Sequence, residues 1–175
     1  MESRIKLVHH TFRIPDHLKR ELEREVRETG NSSSALLIKL LDNYFERDKP
    51  FEQLGFMLIG KDLVRRWMDR MDEEILREDA RELGSQVVSE YVAHMYHRVD
   101  GEVLVEFLNV WFRKISEYSH QVNDKTHNYS VVHDVNIRFS IFLTELLEAL
   151  IEEITNKPVT FVRVTPNLIA FSFEV

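Results

Sequence analysis

Apolar and polar residues alternate with a period of two over Val8-His9-His10-Thr11-Phe12-Arg13-Ile14-Pro15, and the pattern then changes to a helical period. The alternation predicts a short strand that ends at Pro15, which has no N–H to give a ladder. A helix is expected over 16–29, opened by the side-chain oxygen of Asp16, with Leu18, Leu22 and Val26 on one stripe. It should stop at Gly30, where a left-handed backbone is least costly. Ser32 to Ser34 then cap a second helix with Leu36, Leu37, Leu40, Leu41, Tyr44 and Phe45 on its apolar side. One strand and two helices are too small to bury a core alone, so this segment implies a partner copy.

Charge and a proline at 47–50 interrupt the apolar spacing, which divides the chain into residues 1–50 and 51–175. Beyond that point the short apolar run 56–59 fits a strand or the start of a helix. Helical spacing covers 61–71, 72–83, 85–97 and 102–116, with a break expected at Gly84. Residues 118–122 and 126–133 alternate across the turn-like Asn123-Asp124-Lys125 and predict a hairpin. A long amphipathic helix follows over 134–155, and then a second hairpin, 159–165 and 168–175, turning at Pro166-Asn167. Two hairpins flanking a helix suggest an antiparallel sheet with helices on one side. The expected class is α+β: an N-terminal β-α-α module followed by a mainly helical C-terminal domain with antiparallel hairpins.

Composition narrows the picture. With 175 residues and 43% hydrophobic content, there is room for one small module and one ordinary domain of about 100–150 residues. Nowhere do about 18 apolar residues run consecutively, and no apolar signal core opens the sequence, which disfavours a membrane or secreted location. Zero cysteines exclude disulfides, cysteine nucleophiles and thiolate metal sites, and the simplest compartment is the cytoplasm. Residues 1–50 hold 10 Lys+Arg and 9 Asp+Glu, a net of +1; residues 51–175 hold 13 and 21, a net of −8. The acidity therefore belongs to the second part.

Catalytic chemistry has little support. Neither a phosphate-cradling glycine loop nor a nucleophile elbow is present, so no enzyme activity and no cofactor are expected. His94-x-x-His97 places two imidazoles on one helical face, compatible with a metal pair. Without a cysteine or a fixed carboxylate partner, two polar positions on an otherwise apolar helix is the plainer reading. Tyr118, His120, His127, Tyr129 and His133 gather polar aromatics on the first hairpin, where they could line an effector pocket or sense pH. They also fit ordinary strand positions facing solvent or a helix. Glu73-Glu74, Glu78-Asp79 and Glu152-Glu153 read as solvated helix faces, and Trp67 and Trp111 as core anchors.

The order strand, Pro, helix, Gly30-Asn31-Ser32-Ser33-Ser34, apolar helix resembles the ribbon-helix-helix DNA-binding family over roughly residues 6 to 47. That resemblance implies a homodimer whose two N-terminal strands pair into a ribbon entering the major groove of double-stranded DNA. Phe12 and Ile14 would face inward together with His10, leaving His9, Thr11 and Arg13 to read bases. Arg13 can offer two donors to a guanine edge, and Thr11 its hydroxyl or methyl. The start of the second helix would sit on a phosphate, held by Ser32, Ser33 and the amides of Ser34 and Ala35.

The C-terminal pattern is similar to uncharacterised archaeal domains that end in an amphipathic helix and a hairpin. The layout resembles that of nickel-responsive repressors, whose metal site uses a cysteine that this chain lacks. Antitoxins share the module but continue into a short segment that folds on a toxin, whereas here some 125 residues with a full apolar complement follow. The expected function is a transcriptional regulator or repressor, dimeric or tetrameric, with a C-terminal part for effector sensing or oligomerisation. The alternative is a protein-interaction scaffold or antitoxin-like partner with weak or no DNA binding.

Overall fold

A computed structural model of the chain describes residues 8–49, 52 and 59–175. The apolar stretch 56–58 lies outside them. The chain divides into two compact units, Met1–Asp48 and Lys49–Val175.

In the first unit, helix α1 (Asp16–Thr29) and helix α2 (Ser33–Asp42) follow the apolar spacing, and α2 runs on into a wider helical turn, Asn43–Asp48. Gly30 ends α1 with φ +70° and returns its N–H to the Val26 carbonyl. Ser32 caps α2, its hydroxyl accepting the Ala35 amide at 3.1 Å. Asp16 does not cap α1 as expected. Pro15 holds the capping position, and Asp16 lies in the first turn, where its charge meets the helix dipole and the Arg20 guanidinium at 3.3 Å.

The strand expected over 8–15 is not formed either, and every strand among the described residues is C-terminal. Residues 8–15 are exposed and touch one another at i, i+2: Thr11 Oγ1 lies 3.3 Å from His9 Nε2, and His10 stacks along Phe12. A ribbon strand takes its ladder from a second chain, so one copy offers these amides no partner.

The second unit begins with α3 (Lys61–Met68) and α4 (Glu73–Glu82), the latter capped by Asp72. The break expected at Gly84 is absent. The helix passes through it as a π-type turn, Leu83–Val88, and continues as α5 (Ser89–Tyr96). A Cβ on Gly84 would stand 2.3 Å from the Leu146 carbonyl oxygen, so glycine here allows two helices to touch rather than ending one. Then come α6 (Gly101–Ile115), β1 (Glu117–Asn123), β2 (Thr126–Val132), α7 (Ile137–Thr155), β3 (Thr160–Thr165) and β4 (Leu168–Glu174).

The two hairpins join through β2 and β4 into one antiparallel sheet ordered β1-β2-β4-β3. Its inner positions Tyr129, Val131, Ile169, Phe171 and Phe173 are buried with Leu104, Phe107, Leu108 and Phe112 of α6 and Leu143, Leu147 and Leu150 of α7. Each such side chain contributes about 1.5–3 kcal/mol relative to exposure. The alternate positions are mixed, with polar Thr126, Asn128, Ser130, Ser172 and Glu174 beside Val132, Leu168 and Ala170. α7 is tied to α4 through Glu145, a buried carboxylate that accepts from Arg77 and, at 2.7 Å, from Arg81. Trp111 packs against this core as expected. Trp67 does not: it is half exposed on α3, because the contacts of that helix run through Arg65, which donates to the carbonyls of Asp134 and Val135.

Candidate functional site

The residues assigned to DNA are all exposed. His9 and Thr11 share one side of the extended segment through their hydrogen bond, as the period of two requires, and Arg13 is the next residue in that alternation. At the other end of the unit, Ser32, Ser33, Ser34 and Ala35 form the exposed N-terminus of α2. The Ala35 amide is engaged by the Ser32 hydroxyl, which leaves the amides of Ser33 and Ser34 at the open end of the dipole.

Apolar exposure is the other property of this unit. Phe12, Ile14, Leu18, Ile38, Leu40, Leu41, Tyr44 and Phe45 are all exposed, Phe45 to 57%. Neither α1 nor α2 carries a buried residue.

On the second unit, the structure brings four of the five hairpin aromatics together. His120 lies flat on Tyr129, ring centroids 4.1 Å apart and planes within 6°. Its Nε2 stands 2.9 Å from His127 Nδ1, and Tyr118 stacks along Tyr129. The ladder register explains the grouping: His120 is opposite Tyr129 and His127 opposite Val122, so all four rings project from one face of the hairpin. The stack extends through Phe173 and Phe171 and meets Phe112 of α6. Asn109 of α6 accepts the Tyr129 hydroxyl at 3.2 Å. Nothing in the sequence marked Asn109, a lone amide in an apolar helix. Burial pushes both imidazoles below the usual histidine range, the His127 charge lowers His120 further, and the Tyr129 hydroxyl is pushed up, chiefly by burial.

His133 stands apart from this group. It is 1% exposed, and its Nδ1 accepts the Val135 amide at 3.2 Å, which puts the proton on Nε2, 2.9 Å from Ser140 Oγ. Ser140 in turn donates to the Thr165 carbonyl, so this network fastens the start of α7 to β3. Burial lowers the His133 pKa to about 4. The earlier grouping of His133 with the other four fails because it sits at the far end of β2, beyond the last ladder pair.

His94 and His97 are exposed with ring centroids 6.5 Å apart, and His97 ends α5 in a left-handed conformation, φ 55°. No group of three or more metal-ligating side chains occurs among the described residues. No helix among them is long and apolar enough to cross a membrane.

The chain is thus an α+β protein of two units: a small helical one with uncovered apolar residues and a larger one with helices on an antiparallel sheet. Comparison with known proteins finds no matching family model and no curated protein of significant similarity.

Proposed function

We propose that the chain is a homodimeric DNA-binding regulator of the ribbon-helix-helix type, acting in the cytoplasm. The observation that carries this reading is the first unit's exposed apolar residues: α1, α2 and the segment 8–15 hold no buried residue. A second copy would cover Phe12, Ile14, Leu40 and Leu41, and would supply the strand partner that residues 8–15 lack. In that dimer His9, Thr11 and Arg13 face the major groove, and the open end of α2 meets a phosphate through Ser33 and Ser34. Phosphate contacts fix the register and the strand residues select the sequence. The second unit serves for effector sensing or for pairing dimers.

The test is selection of bound fragments from a random duplex pool with the full chain at about 150 mM salt, wild type against Arg13→Ala. The expected result is a recurrent palindromic motif that relaxes or disappears in the variant. No enrichment by the wild type would overturn the reading.

A further inference from the structure

We infer that His120 and His127 form a one-proton pair, and that a second proton releases the edge strand β1 from the sheet. The inference is independent of the DNA-binding reading, because the pair lies wholly within the second unit.

His120 Nε2 and His127 Nδ1 face each other at 2.9 Å. An N–H···N bond requires a hydrogen on one of these atoms and a lone pair on the other. Two neutral rings satisfy it. One added proton also satisfies it, since an imidazolium N–H donates to a neutral imidazole with a stronger, charge-assisted bond. With two protons, both facing nitrogens carry hydrogen, no acceptor is left, and two like charges stand in contact.

Each ring lies against an aromatic neighbour. His120 is stacked on Tyr129, and His127 along Phe173 at 5.7 Å. Among the described residues no carboxylate acts on either ring. Tyr118 of β1 and Tyr129 of β2 are the titratable neighbours on the same face, and β4 contributes Phe173. From α6, Asn109 is bound to the Tyr129 hydroxyl, and Glu106 acts on Tyr96 instead. Glu117 and Glu174 pair at ladder positions of the opposite face, and Asp124 and Lys125 sit in the turn. The repulsion therefore acts across one seam, the β1–β2 ladder, and among the described residues β2 is the only strand that β1 pairs with.

The test is an NMR titration of the full chain from pH 8 to 4, following imidazole protons and amide protection together. Two imidazole steps more than about one pH unit apart are expected. The lower step should coincide with loss of protection in β1 while β2 and β4 stay protected. His127→Phe keeps the stack on Phe173 and removes the second charge, so His120 should titrate in one step at higher pH with β1 protected throughout. His120→Phe should give the mirror result for His127. Rings that titrate together at one value, β1 protection indifferent to the lower step, or equal loss of protection in both variants would overturn the inference.

Discussion

The two units of this chain use similar residues to opposite ends. Leu40, Leu41 and Phe45 in the first are exposed, while Leu143, Leu147 and Phe171 in the second are almost wholly buried. The difference is not hydrophobicity but whether the chain supplies the opposing face. In the second unit α6 and α7 lie over the inner side of a four-stranded sheet, and each apolar stripe meets another. In the first, two helices offer each other too little surface, and in the proposed dimer the opposing face comes from a second copy.

The largest loss is expected where the core is deepest. Phe171→Ala removes a ring that touches Phe112, Tyr129, Phe161 and Phe173, and should cost about 3–5 kcal/mol in denaturant unfolding of the second unit. Helical signal from the first unit should be unchanged by it.

Acid should act next, and again on the second unit. His133 has an ordinary value of 6.5 and is lowered to about 4 in the folded chain. The unfolded chain therefore binds this proton more tightly. Stability is complete above about pH 6.5 and declines as pH falls towards 4, by about 3 kcal/mol in all. Urea midpoints measured across that range should show the decline, and His133→Gln should be less stable at pH 7 but flatter below it.

The smallest effect falls on the first unit. Ser32→Ala removes the cap on α2 and should cost about 1 kcal/mol. It should appear as a lower helix signal at 25 °C with no change in the unfolding midpoint of the second unit. A shift of both units together would show that they are not separate in stability.

Much of this was legible from residue spacing because the period of burial is local. The helix over 16–29, the long helix expected over 134–155 except for its start, which Asn136 caps at Ile137, the end at Gly30, the cap at Ser32 and both hairpins follow from residues within a few positions of one another. What was not legible depends on distant partners. Gly84 reads alike as a helix stop or a close contact until Leu146 is placed beside it. His133 looks like its hairpin neighbours until Ser140 and Thr165 close around it. Trp67 looks like a core residue until Arg65 is seen to hold α3 by the opposite side. The strand expected over 8–15 is the opposite case, an alternation of two that the structure does not turn into a strand.

The order β1-β2-β4-β3 also bears on how the second unit assembles. Each hairpin closes over a two-residue turn and can form early, but the β2–β4 seam joins residues roughly forty positions apart, with all of α7 between them. The loop-closure entropy of the sheet therefore falls on that one seam. α7 spans the interval between the two strands of that seam.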